Sequence, residues 1–482
     1  MVHQRHTRRQ FMHGALAASA ALAAGPARSV FAANDQINVG IIGLGTMGSG
    51  HSHSFPGLKG VQVAAISDAD MHRMGETANH LSNSVSQHQD FRRILDDPAI
   101  DAVVIATPNH WHAVMTIMAC QAGKHVYVQK PVSHGIWEGR KMVEAARRYD
   151  RIVQAGTQQR SCPAVSEARA DILAGKYGQP QWAHCSVLHA REPIGRVTEP
   201  QPVPDHIDYN LWTGPAPLAP VMRKDFHYDW HWQWNWGDGE TGNWGPHYVD
   251  DLRNLLGWDD VPDNVVAAGN RFAWDDNGQT PNVHLALFEH RGVKVVLDIR
   301  NLTDPAGPGG EAGALYRDMR GGNYIHCEQG VIRFARGGGS ATGHDGEPIK
   351  QYAGDGGASH EGNFIDAIRA GDRTQLNCEI AEGHLSTTMC HQANIASRVG
   401  QAATVEQVRE TIKEHPDALD TLADMVRQLN GNGVDLAKQP FMLGARLHFD
   451  RTTERFVGDR VDLANHLVTG SHRAPFTVPA TV

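Results

Sequence analysis

Residues 37–48 read INVGIIGLGTMG: an apolar run, the loop Gly43-Leu44-Gly45-Thr46-Met47-Gly48, then a helix-like stretch. A buried strand that turns through G-x-G-x-x-G into a helix is the opening unit of a dinucleotide-binding sheet. In that unit Gly43 allows the tight turn, Gly45 lets the backbone approach a pyrophosphate, and Gly48 lets the helix pack close to the strand. The start of the helix presents free N–H groups and a partial positive charge to the anion. Twenty residues past Gly48, a second apolar run (residues 61–66) ends at Ser67-Asp68. A carboxylate at that point accepts hydrogen bonds from an adenosine ribose and repels the extra phosphate of NADP. The expected cofactor is therefore NAD rather than NADP, held by Gly43, Gly45, Thr46, Met47, Gly48 and Asp68.

The 482 residues are too many for one small core and imply two domains. A net charge of −9, with no basic stripe beyond the first residues, argues against nucleic acid, whose phosphates need clustered Lys and Arg. Thr7-Arg8-Arg9-Gln10-Phe11-Met12 precedes an Ala- and Leu-rich stretch, and small residues follow around Ser29 to Ala33. Paired arginines before a modest apolar region have the form of a twin-arginine export signal. The expectation is a periplasmic or otherwise exported protein with no membrane segment in its mature form. Six scattered cysteines without a C-x-x-C pair suggest buried small hydrophobes, neither a disulfide scaffold nor a zinc site.

Domain organisation follows the periodicity: a signal segment at 1–34, a nucleotide-binding domain at 35–156 and a second domain at 157–482. Apolar strand-like runs alternate with helical stretches up to about residue 156, which predicts a doubly wound parallel sheet and an α/β fold. Thr107-Pro108-Asn109 and Gln129-Lys130-Pro131 each follow a predicted strand, so they fall with the glycine loop at the strand ends where ligands bind. Past residue 156 the runs become short and alternating, as in an antiparallel sheet, with residues 304–310 and 337–345 read as loops. Helices are expected at 362–370, 380–399 and 405–428.

Lys130 is the first candidate for chemistry. An ammonium desolvated beside the cofactor falls from about 10.4 toward roughly 7–8, where it exchanges protons with a hydroxyl. His247, in Asn243-Trp244-Gly245-Pro246-His247, opens a predicted helix and has an ordinary pKa near 6.5 suited to acid–base work. The run Trp230-His231-Trp232-Gln233-Trp234-Asn235-Trp236, if extended, puts four indoles on one face, a surface for stacking on sugar rings. Trp234 is its candidate substrate contact, with Lys130, Asn243 and His247. The pairs His110/His112 and His227/His231 have metal-compatible spacing but no completing carboxylate or cysteine, so no metal is expected.

Three pieces in order, GLGTMG (43–48), ATPNHWHA (106–113) and VQKPVS (128–133), together with GNWGPHYVDDLR (242–253), resemble the Gfo/Idh/MocA oxidoreductases. This resemblance implies a Rossmann domain followed by an α/β domain with a large, mostly antiparallel open sheet, which often makes homo-oligomer contacts. It also implies that Thr107, Pro108, Asn109, His112, Gln129 and Lys130 lie along NAD, and that Lys130 and His247 flank the reacting carbon of a small carbohydrate. Two positions depart from the family pattern. Its E-K-P is Gln129-Lys130-Pro131 here, and its D-x-x-x-H is Asn243-x-x-x-His247, so both carboxylates are amides. Lys130 and His247 remain as the titrating pair, with His247 read as base, Lys130 as partner, and the order open. The expected reaction is hydride transfer between tightly held NAD and a hydroxyl-bearing carbon of a sugar, polyol or glycoside. The alternatives are a NAD-dependent glycosidase acting by transient oxidation and elimination, and a catalytically idle NAD- and sugar-binding protein.

Overall fold

In the computed structural model, which describes residues 36–82, 84–458 and 461–482, the opening strand β1 (Ile37–Ile42) sits mid-sheet. The proposed export signal lies outside the described residues. Six strands make the first sheet: β1, β2 (Val61–Ser67), β3 (Ser86–His88), β4 (Ala102–Ile105), β5 (His125–Val128) and β6 (Val153–Ala155). They pair in parallel in the order β3-β2-β1-β4-β5-β6, the doubly wound arrangement expected. Their β-branched residues point alternately to two cores, because both sheet faces are buried. Helices Asn109–Gln121 and Ile136–Arg148 contribute to one core. Phe364 and Ile365 of the helix His360–Ala370 reach back to the other, and Cys378 and Ile380 to the first. Residues placed by sequence in the second domain thus also cover the first sheet.

The second sheet has twelve strands. They are β7 (Pro180–Val187), β8 (Asn264–Asn270), β9 (Val283–His290), β10 (Val293–Arg300), β11 (Gly321–Cys327), β12 (Gly330–Ala335), β13 (Gly338–Thr342), β14 (Pro348–Ala353), β15 (Gln401–Ala403), β16 (Phe441–Leu443), β17 (Leu447–Asp450) and β18 (Arg455–Val457). The main order is β14-β13-β12-β11-β7-β10-β9-β8-β16-β15. Only β7 and β10 pair in parallel, so the sheet is mostly antiparallel. One face packs on helices Gly245–Leu255 and Ile380–Arg398 through a core that includes Val187, Leu252, Phe288 and Ala393.

Two expectations are corrected. The glycine-rich segment read as a loop at 337–345 contains β13, hydrogen-bonded between β12 and β14. A Cβ on Gly339 would lie 2.3 Å from the Phe334 ring, so this strand needs glycine to pass under the aromatic. The helix expected over 405–428 is two helices, Val405–Ile412 and Pro416–Gly431. Pro416 cannot continue a helix but suits the first position of a new one. All six cysteines are free and buried. Among the described residues no helix is long and apolar enough to cross a membrane.

Candidate active site

The glycine loop is built by close approach. Gly43 has φ +86, and a Cβ on Gly48 would lie 1.8 Å from the Gly43 carbonyl oxygen, inside any van der Waals contact. Helix Thr46–Ser54 starts from Gly45 with no side chain capping it and no acid in its first turn, so its leading N–H groups are available to an anion. Asp68 closes the loop from below, accepting from Leu44 N (2.7 Å) and Asp70 N (2.9 Å). Burial raises its carboxyl above the ordinary value, against the opposing pull of those donors and of Arg73.

From this loop a cavity of about 690 Å³ runs along the ends of the first-sheet strands to His247 in the second domain. Of the residues expected from sequence, Gly43, Gly45, Thr46, Met47, Asp68, Thr107, Pro108, Asn109, His112, Gln129, Lys130, Asn243 and His247 all line it. Gly48 does not; its role is the helix–strand packing just described. Trp234 does not line it either. Residues 229–232 form a 3-10 turn, so the tryptophan run is not extended, and the Trp234 ring lies under Arg398, 4.2 Å away. Trp230 reaches the cavity, while Trp232 and Trp236 are buried.

His112 fixes the cavity floor by bringing its ring nitrogens to Pro131 O (2.6 Å) and Thr107 O (2.8 Å), which ties the two strand-end turns together. Asn109 donates to Asp238 across the domains (2.9 Å). Gln129 Nε2 donates to His51 Nε2 (2.7 Å), and His51 Nδ1–H donates to Glu361 (2.5 Å). Gln129 Oε1 is left buried without a partner at the cavity wall.

Lys130 donates to both the backbone O (3.0 Å) and the Oδ1 (3.1 Å) of Asn243, which leaves its third donor direction for another oxygen. Burial pulls its ammonium down to about 8; Glu240 pulls the other way, and Arg336 and Arg191 add to the fall. His247 is the third residue of helix Gly245–Leu255, which Pro246 starts cleanly. Burial, then Lys130 and Arg336, push its imidazole well below the ordinary value, and its Nδ1 is buried without a partner. Each of these influences favours the neutral ring.

Sequence reasoning missed Arg191, Arg336, Gln158 and Trp244, which also line the cavity, and the buried Glu240 behind Lys130. It also missed the cover. The excursion between β7 and helix Gly245–Leu255 folds back over the first domain. Asp208 N donates to Ala69 O (3.0 Å), Met71 N to His206 O (3.1 Å), and His227 pairs with Asp70 (2.8 Å). This lays Trp212, His227, Tyr228, Trp230 and His231 over the cavity. The tail clasps the cover: Arg473 donates to Gly214 O (3.0 Å) and Asn210 Oδ1 (2.8 Å), and Phe476 packs on Trp111 at 4.8 Å.

The histidine pairs with metal-compatible spacing are engaged otherwise. His110 reaches Trp212 O, and His231 Nδ1 lies 2.6 Å from Tyr228 O. Asp70, His72 and His206 bring ligand atoms within 4.8 Å of one another. Yet Asp70 caps the helix Met71–Ala78, and the two imidazoles stack at 3.7 Å with planes 12° apart.

Comparison with known proteins agrees with this geometry. Residues 37–157 match the family model described as "Oxidoreductase family, NAD-binding Rossmann fold", and residues 194–327 match its "C-terminal alpha/beta domain". Together these cover more than half of the chain. The chain belongs to the Gfo/Idh/MocA oxidoreductase family. It is 32% identical over 157 residues to inositol 2-dehydrogenase 1 of Saccharopolyspora erythraea, over 32% of this chain and 47% of that protein. It is 34% identical over 153 residues to levoglucosan dehydrogenase of Pseudarthrobacter phenanthrenivorans, over 30% of this chain and 38% of that one. The chain therefore spans about half, or less, of the length of these curated relatives. Among solved structures, the WlbA dehydrogenase of Bordetella pertussis in complex with NADH and UDP-GlcNAcA shares the fold. Its TM-score is 0.57 at 19% identity, over 76% of this chain and 97% of that chain.

The residues fit the NAD of this family: an uncapped helix start, a loop that a side chain would fill, and a carboxylate at the end of β2. Asp68→Asn, which removes the charge at the loss of one of the two backbone hydrogen bonds the carboxylate accepts, should narrow the preference for NADH over NADPH by about tenfold, the effect of roughly 1.4 kcal/mol. Arg73, 3.1 Å from a Cβ built on Gly45, then faces the extra phosphate without an opposing carboxylate. Fluorescence titration with the two cofactors measures this ratio.

Proposed function

We propose that this chain is a NAD-dependent oxidoreductase acting on a hydroxyl-bearing carbon of a sugar, polyol or glycoside. One observation carries the reading: a single covered cavity joins the Gly43–Thr46 loop to Lys130 and His247. Bound there, the nicotinamide supplies a hydride acceptor for an alcohol carbon. Gly45, Thr46 and Asp68 would hold the cofactor's phosphates and ribose, and Thr107, Pro108, Asn109 and Gln129 its length along the strand ends.

The electrostatics refine the sequence reading of the acid–base pair. Burial and the cations Lys130 and Arg336 act against an imidazolium at His247. Such a ring is a poor proton acceptor and a good positioning group for a hydroxyl. Lys130, at about 8, is poised to exchange a proton near neutral pH. Its amine accepts the substrate hydroxyl proton while Asn243 keeps Nζ aimed at the cavity. The cover excludes water from this exchange.

The Arg8-Arg9 segment supports export with the cofactor already bound, which the cover would retain. The partly exposed Trp182 and His326, stacked on each other on the outer face of the large sheet, support a homo-oligomer formed through that sheet.

Purified protein loaded with NAD and offered a panel of sugars, polyols and aryl glycosides should accumulate NADH with at least one free sugar or polyol. Aglycone release without net NADH would establish the glycosidase reaction in its place. Absence of both, with NAD bound, would leave a binding protein.

A further inference from the structure

The substrate end of the cavity is short of negative charge. Lys130, Arg191 and Arg336 all line it, and the carboxylate beside them, Glu240, is taken up by Arg191 Nη2 (2.8 Å) and by Asn243 Nδ2 (3.3 Å). Asn243, which holds the Lys130 ammonium, is an amide and adds no negative charge to this end. Arg336 follows β12 and carries its guanidinium 5.7 Å over the Trp244 ring. Stacking on an indole leaves the edge of a guanidinium free for a planar, two-oxygen partner. Arg336 Nη1 and Arg191 Nε are both buried with no hydrogen-bond partner. A buried guanidinium donor without a partner is costly, which marks a position that a ligand completes. The cofactor's phosphates do not answer this need, because their cradle is the Gly45–Thr46 turn. Arg336 acts electrostatically on Lys130 and His247 at the opposite end.

We propose that the substrate is a sugar acid, and that Arg336, assisted by Arg191, binds its carboxylate and so turns a hydroxyl of the same molecule toward Lys130 and His247. The proposal rests on the oxidoreductase reading and names its substrate class. No bond changes at the carboxylate, whose role is to set register. Uncharged sugars of the same shape lack the group that pairs Arg336 and bind weakly.

Calorimetry on the NAD-loaded protein tests this without requiring turnover. The probes are D-glucuronate, D-galacturonate, their methyl esters, D-glucose, D-galactose and D-glucose 6-phosphate. At least one uronate should bind at least tenfold tighter than its own methyl ester and than the parent sugar. Arg336→Gln should abolish that preference by weakening the acid tenfold or more while changing the ester less than twofold; Arg336→Lys should restore part of it. Equal binding of acid and ester would overturn the proposal, as would tighter binding of the sugar phosphate than of either uronate. So would an Arg336→Gln variant that loses NADH affinity in the same proportion as the acid, since Arg336 would then serve the cofactor. Turnover of neutral polyols without any preference for acids would refute this inference and leave the oxidoreductase reading standing. Tight uronate binding with no redox reaction on any panel member would do the reverse.

Discussion

Gly48→Ala is expected to lower NADH affinity by at least a hundredfold. The added methyl carbon would lie 1.8 Å from the Gly43 carbonyl oxygen and 2.8 Å from its carbon, both backbone atoms that cannot swing aside. Relief requires the helix Thr46–Ser54 to move away from β1, and with it the N–H groups of the phosphate cradle. Over-packing of this kind costs about 1–3 kcal/mol of stability, and a displaced cradle loses its charge-assisted hydrogen bonds as well. Gly50, two residues further along the same helix, has nothing within 4 Å of a built Cβ. Gly50→Ala should therefore raise stability by about 0.5–1 kcal/mol and leave NADH binding unchanged. Chemical denaturation and NADH titration of the two variants side by side separate a local clash from a general intolerance of the helix. Equal NADH affinity in both would show that the cradle does not depend on the 43–48 contact.

Lys130→Met should reduce turnover at least about a hundredfold, the usual worth of a positioned proton carrier. The pH profile makes the assignment specific. Lys130 is protonated below about 8 and neutral above it. If its amine takes the hydroxyl proton, alcohol oxidation rises with pH through about 8 and then levels off. The reverse reaction, which needs the ammonium, falls over the same interval. The residual activity of Lys130→Met should lack this step. A His247→Asn variant should lose turnover by a similar factor but keep the step near 8, because burial and the neighbouring cations hold the His247 imidazole well below its ordinary value. A profile that falls through 8 in the oxidative direction would make His247 the acceptor, with the Lys130 ammonium as its electrostatic partner, as the sequence reading had it.

Much of this site is legible in the sequence because its parts are local. A glycine loop, a carboxylate after the next strand and two strand-end turns each lie within a few consecutive residues, and a parallel sheet brings all its strand ends to one edge. The less legible parts depend on pairings distant in sequence. Arg336 reaches the cavity only because β12 pairs with β11, and β11 with β7. Arg191 does so because the chain turns back after β7. Neither has a local pattern to mark it. The tryptophan run misleads for the opposite reason: its alternation is strong, but the turn at Asp229–Trp232 breaks the period, and Arg398 from a remote helix takes the ring of Trp234. The strand β13 was hidden because its glycines, normally loop formers, are there to admit a neighbouring phenylalanine.

The clasp made by Arg473 and Phe476 joins stretches of chain that lie far apart in sequence. The cradle and every strand of the first sheet lie before residue 156, whereas the cover is fastened from Arg473 and Phe476, and Arg148 of the first domain donates to the Val482 carbonyl at 2.6 Å. Release of the cover therefore requires breaking contacts made far along the chain from the cradle that the cover closes.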